Sequence, residues 1–226
     1  MTAGDAFLVP GGEGRTETRV RGSRFLALAS RATSPDEAEA LVSKRAAAMH
    51  DASHHCYAWR LRDGRCRAAD AGEPGGSAGA PILAAIEGRE IADCVVVVTR
   101  HFGGTKLGVG GLVRAYGDAA AAALEEMPVQ EARPGVRLRI TFPYEHTATV
   151  MRLIEAADVA EVEHGYDAGG AEGTVSFSLP RVAEEAFVAG LTEASGGSLF
   201  ANRISEVMLY RPVPTGLASG GSSASL

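Results

Sequence analysis

The stretch from Val95 to Tyr116 concentrates the residue types most able to do chemistry. It reads VVVVTRHFGGTKLGVGGLVRAY. A valine run, a glycine-rich turn and then a helix start is a geometry that points backbone N–H groups at an anion. Arg100, Lys106 and Arg114 add cations. With Gly103, Gly104, Thr105, Gly108, Gly110 and Gly111 they form the candidate anion- or ligand-binding set. The spacing excludes two familiar nucleotide loops. Gly103-Gly104-Thr105-Lys106 lacks the GxxxxGK[ST] pattern, and Val113 stands where a GxGxxG loop starting at Gly108 needs its last glycine. The competing reading is a turn whose glycines only allow close packing.

A second cluster runs Asp70-Ala71-Gly72-Glu73-Pro74-Gly75-Gly76-Ser77-Ala78-Gly79. Pro and Gly at this density force an irregular, exposed loop. Glu73 is a candidate general base or metal ligand. Ser77 reads as the N-cap of a helix carrying Ile82 and Leu83, rather than as a nucleophile. A third cluster opens at His54 and His55. Strand alternation puts His55, Tyr57, Trp59 and Leu61 on one face and His54, Cys56, Ala58 and Arg60 on the other. The aromatic row reads as a core face, with base stacking as the alternative. Adjacent histidines on a strand point apart and cannot chelate one metal, and no third ligand stands at a standard spacing, so no metal is expected. No cofactor is expected either. His54, His55, Asp70, Glu73, Ser77 and Tyr116 make the walls of a candidate pocket. His55 and Glu73 are its only acid–base candidates, and no complete nucleophile–base–orienter set can be named, so catalysis stays open.

These clusters must be positioned by a fold, and the composition permits one. The 226 residues are 46% hydrophobic and 22% charged, as soluble globular chains are. A net charge of −6 argues against a protein that coats nucleic acid through bulk positive charge, though not against a local basic groove. No apolar run approaches the roughly 18 residues that span a bilayer, and the start of the chain, with Asp5, Glu13 and Glu17, does not read as a signal peptide. Cys56, Cys66 and Cys94 form neither an even framework nor a CxxC pair. A two-residue Asp63-Gly64 turn would pair Leu61 with Cys66, placing Cys56 and Cys66 on opposite faces and excluding a disulfide between them. A cytoplasmic protein with reduced thiols is the expectation.

Residues 1–22 lack periodicity and read as a flexible segment, as do residues 212–226. A first domain spans 23–129 and a second 133–211, divided by the proline-bearing stretch Met127–Pro134. In the first, strands are expected at Arg24–Ser30, His54–Leu61, Arg65–Ala69 and Cys94–Thr99, the last buried on both faces. Its helices are a capping-box helix over 35–49, a short one from Ser77 to Glu87, and one from Leu112 to Met127, after a loop from Gly103 to Gly111. The second domain reads as strand Val136–Phe142, helix Thr147–Ala157, a hairpin of Val159–Tyr166 with Gly173–Leu179, a helix around Ala183–Leu191, and strand Leu199–Tyr210. That βαββαβ order is the ferredoxin-like pattern. Glu155, Asp158, Glu161 and Glu163 make one edge of it acidic.

Three blocks in this order, His54–Trp59, Asp70–Pro81 and Thr99–Tyr116, resemble the YigZ/IMPACT family. His101 departs from it, standing where the family usually has a second aromatic before Phe102. The resemblance implies an α+β protein of two domains: an N-terminal α/β sandwich like domain 2 of ribosomal protein S5, and a C-terminal ferredoxin-like domain similar to those of elongation factor G. Eukaryotic members regulate translation by competing for a partner in the amino-acid starvation pathway. For bacterial members the implied role is RNA, ribosome or translation-factor binding. The expectation is therefore a translation-linked regulatory or binding protein acting through the glycine-rich basic loop. The alternative is an enzyme acting on a phosphorylated small molecule in the same pocket.

Overall fold

The computed structural model describes residues 6–213, so most of the expected C-terminal tail lies outside the described residues. The chain has two compact units, 7–131 and 132–211. Both are mixed α and β with antiparallel strand pairing.

The N-terminal unit contains β1 (Phe7–Pro10), β2 (Gly14–Val20), β3 (Ser23–Arg31), α1 (Pro35–Ala48), β4 (His54–Arg60), β5 (Cys66–Ala69), α2 (Gly79–Glu87), β6 (Cys94–His101) and α3 (Val109–Glu126). Strands β2-β3-β6-β4-β5 form its antiparallel sheet. The valines of β6 are buried because both faces of this strand are covered. On one face Val96 and Val98 pack with Phe25, Ile82, Ile86, Leu112 and Tyr116 under α2 and α3. On the other, Val95 and Val97 pack with Ala38, Trp59 and Leu61 under α1. The aromatic row of β4 is thus a core face. Helix α1 begins at a built cap: Ser34 Oγ accepts from the Glu37 N–H at 3.2 Å, and the Glu37 carboxylate reaches back to the Thr33 N–H at 2.7 Å.

The C-terminal unit contains most of β7 (Val129–Pro143), then α4 (Thr147–Ala156), β8 (Ala160–Tyr166), β9 (Glu172–Pro180), α5 (Glu184–Ala194) and β10 (Ala201–Pro212). The strand order is β10-β7-β9-β8. Val136, Leu138, Ile140, Val175, Phe177 and Leu179 point to one face and meet Val150, Ile154, Phe187 and Leu191 of the helices. Among the described residues no helix is long and apolar enough to cross a membrane.

The structure departs from the sequence expectations at five places. Residues 7–10 and 14–20, expected to be flexible, are strands, because β1 pairs with β7 and β2 forms a hairpin with β3 that leaves its polar side chains outward. The β4–β5 hairpin is one residue out of the expected register: Cys66 pairs with Arg60, and the Leu61 N–H bonds to the Arg65 carbonyl, so the loop is wider than two residues. Cys56 and Cys66 therefore share a face, and separation along the ladder, on the order of 13 Å for four residues, is what keeps them apart. The stretch read as a linker lies largely inside β7; Pro134, which has no N–H to give, sits just before the ladder with β9 starts at Gly135. Helix α3 starts at Val109, so Gly110 and Gly111 belong to its first turn. Helix α2 starts at Gly79, and Ser77 does not cap it.

Candidate functional site

Strand register builds the heart of the site. Phe25 on β3 and His54 on β4 both pair with Arg100 on β6. Cross-strand partners share a face, so the three side chains form a row on the α2–α3 side at one end of the sheet. Arg100 is only 4% exposed. Its guanidinium lies between the rings of Phe25 and Phe102, 5.5 and 5.4 Å from their centroids.

Glu73 answers this buried cation. Its Oε1 accepts from Arg100 Nη1 at 2.7 Å and from the Tyr116 hydroxyl at 2.8 Å, and His54 Nε2 stands 3.9 Å away. Arg100 Nη2 donates to Ser23 Oγ at 3.2 Å, while its Nε has no acceptor among the described residues. A pair this deep needs both members. Removing one strands the other, at about 3–5 kcal/mol.

Asp70 holds the loop that delivers Glu73. Its Oδ2 accepts from the Gly76 N–H at 2.8 Å, and its Oδ1 from the Ala78 and Gly79 N–H groups, both at 2.9 Å. Asp70 thereby caps α2 from eight residues upstream, the task that sequence spacing assigns to Ser77. Ser77 is buried, and its hydroxyl donates to the Pro74 carbonyl at 2.6 Å. Burial alone would raise the Asp70 carboxyl, but the three N–H groups outweigh it and hold it below the usual aspartate value.

Burial favours the protonated forms of the thiol and phenol of the site. Cys56 Sγ donates to the Asp70 carbonyl at 2.9 Å, and burial pushes its thiol up to about 12 despite a hydrogen bond with Tyr116. Burial, then the neighbouring Cys56 and Glu73, push the Tyr116 hydroxyl above its ordinary value. His55 lies on the opposite face, its Nδ1 3.1 Å from Thr99 Oγ1, and burial holds it below the ordinary histidine value. The structure therefore brings together His54, Asp70, Glu73, Arg100 and Tyr116, and separates His55 from them.

The glycine-rich loop is a different kind of surface. The Phe102 and Gly103 N–H groups are already taken, by Ser53 Oγ and Ser23 Oγ, each at 3.2 Å. From Gly104 to Gly108 the chain is exposed apart from Leu107. Gly108, at φ +72°, turns it into α3, and among the described residues no side chain caps the helix there. Lys106 is exposed, and Arg114 is exposed one turn beyond Gly110. Phe102 is 49% exposed at the loop's entrance. Arg100 is thus buried and paired with Glu73, unlike the exposed Lys106 and Arg114. Sequence reasoning missed Ser23, which joins Arg100 to the loop; only the β3–β6 register reveals it. Among the described residues, no group of three or more His, Cys, Asp or Glu is placed to hold a metal. The acidic edge is partly neutralised: Arg137 meets Glu161 at 3.3 Å and Glu163 at 2.7 Å, and Arg211 pairs with Asp158.

Comparison with known proteins locates these features. The family description "Impact N-terminal domain" matches residues 21–124, which contain the whole site. The IMPACT family member YigZ of Escherichia coli is 30% identical over 199 residues, covering 86% of this chain and 96% of that protein. The IMPACT family member in the pol 5' region of Thermus thermophilus is 41% identical over 147 residues, covering 65% of this chain and 79% of the relative. A crystal structure described as that of a hypothetical protein matches with a TM-score of 0.59 at 29% identity, covering 88% of this chain and 98% of the other.

Proposed function

The chain belongs to the IMPACT family, and from that premise we propose that it is a cytoplasmic, translation-linked binding protein that recognises RNA, free or as part of a ribosomal partner, through the loop that opens α3. The observation that carries this reading is the uncapped start of α3, flanked by exposed Lys106 and Arg114 and entered through half-exposed Phe102. Free N–H groups and two cations suit phosphate oxygens, and an exposed ring suits an unstacked base. In the same reading the N-terminal unit is a relative of domain 2 of ribosomal protein S5, and the β10-β7-β9-β8 unit is ferredoxin-like.

The enzyme alternative would need Glu73 or His55 as an acid–base group facing a phosphorylated small molecule. Glu73 is engaged by Arg100 and Tyr116, and His55 lies across the sheet, so the binding reading is preferred. Filter binding to single-stranded RNA at several salt concentrations tests it. The Lys106→Ala, Arg114→Ala double variant is expected to keep its stability within about 0.5 kcal/mol, since both side chains are exposed. It should bind more weakly and lower the log–log salt slope by about 1 to 2. Wild-type affinity no greater than that of an acidic control protein, or a slope unmoved by the double variant, defeats the proposal.

A further inference from the structure

Helix α1 covers only part of its side of the N-terminal sheet. Between it and the β2–β3 hairpin lies a cavity of about 240 Å³. Arg15 and Leu28, cross-strand partners, form its floor. Leu41, Lys44, Arg45 and Ala48, on successive turns of α1, form its wall. This is the face of the sheet opposite the Glu73–Arg100 pair, so nothing in the loop-centred reading accounts for it.

Its charges are unbalanced. Glu13, the only carboxylate in the lining, is occupied by Arg15 at 2.5 Å. Lys44 and Arg45 make no ion pair among the described residues, in a chain whose net charge is −6. The Arg45 Nε is buried and has no acceptor there. Burial, and then the like charge of Arg15, hold Arg45 below its ordinary value; Glu13 offsets this in part. An arginine remains charged all the same, so Arg45 brings to the lining a cation with no ion-pair partner among the described residues. Arg45 and Lys44 therefore leave two cations beside this cavity that no carboxylate among the described residues neutralises. A guanidinium fork fits a carboxylate or a phosphate best. The remaining lining, Leu28, Leu41 and Ala48, is apolar and would reject a bare hydrated ion.

We propose that this cavity is a binding site for a small amphiphilic anion, its carboxylate or phosphate head on Arg45 and Lys44 and a short apolar body against Leu28, Leu41 and Ala48. The volume corresponds to roughly eight waters of liquid, which sets the ligand at the size of a six-carbon chain with one head group.

The test is an NMR titration of the full chain at constant ionic strength with hexanoate, hexyl phosphate, hexanol and inorganic phosphate. Expected are saturable shifts at α1 and the β2–β3 hairpin with at least one hexyl anion, and binding about tenfold weaker or worse with hexanol and with inorganic phosphate, which each lack one half of the ligand. Which hexyl anion binds distinguishes a carboxylate site from a phosphate site. Arg45→Gln should weaken binding about tenfold or more, and Lys44→Gln about threefold. Lys44 is exposed, so its variant decides the matter even if Arg45→Gln fails to fold. No saturable shift with either hexyl anion overturns the proposal, as do shifts centred on the Gly104–Gly111 loop, or equal affinity in the Lys44→Gln and wild-type proteins.

Discussion

At the scale of single residues, one carboxylate organises the site without touching its exposed surface. Asp70 gathers three N–H groups and so fixes the loop on which Glu73 rides. Because its folded value lies below the unfolded one, its contribution is complete above the ordinary aspartate value, about 3.9, and is lost as pH falls through the depressed folded value. Asp70→Asn keeps one acceptor and removes the charge. The variant should be less stable by about 1–2 kcal/mol at neutral pH, with the gap to wild type closing in acid. Urea midpoints of the two proteins between pH 7 and pH 3 measure this, and parallel curves would contradict it. The motif makes Asp70, Glu73 and Tyr116 legible in sequence as neighbours, but not their roles. A cap supplied from eight positions upstream is invisible to local spacing, which points to the nearer Ser77 instead. Arg100 reads locally as a surface cation because an arginine after a buried strand usually reaches water; only the row it shares with Phe25 and His54 turns it inward.

At the scale of elements, the glycines of the loop divide by what surrounds them. A Cβ on Gly103 would lie 1.9 Å from the Gly22 carbonyl carbon, in backbone that cannot yield, whereas one on Gly110 meets nothing within 4 Å. Gly103→Ala should therefore cost about 1–3 kcal/mol, while Gly110→Ala, inside the first turn of α3, should stabilise by about 0.4–1 kcal/mol. Opposite signs in thermal or urea unfolding are the expected result, and equal signs would show that the crowding at Gly103 relaxes. Most elements are legible from pattern, including the valine strand and the five α-helices, because apolar spacing reports burial directly. The missed strands lack a repeating signal, and Phe7–Pro10 is too short a run to show one. Residues 14–20 read GRTETRV, almost without apolar side chains, and residues 7–10 and 129–134 become strands through partners distant in sequence. A turn residue such as Pro134 reads locally as a break.

At the scale of the whole chain, the two units carry separate cores: clusters around Tyr116 and Val96 and around Trp59 in the first, and one around Phe177 and Ile140 in the second. Trp59, the single tryptophan, reports on the first alone. Phe177 is fully buried and packs edge-on against Phe187 at 5.0 Å. Phe177→Ala should cost the second unit about 3–5 kcal/mol and split unfolding, with far-ultraviolet circular dichroism changing early while Trp59 emission keeps its wild-type midpoint. A common shift of both signals would show that the units melt together. The division of the chain, expected at Met127–Pro134, falls between Glu131 and Ala132; what is not legible is that a continuous strand carries it, since Pro134 reads locally as a break. The placement of β6 also has a kinetic side. It lies between β3 and β4, both made before it, and every rung it forms closes a long loop of chain. Such pairings are slow to find compared with local hairpins and helices. During synthesis the β2–β3 and β4–β5 hairpins and α1 can form early, but no strand joins the two hairpins until β6 arrives. Its four valines then emerge as a sticky, uncharged segment, and one of its faces waits for α3, which is made after it. The strand that seals both cores of this unit is also the one a growing chain is least able to hide.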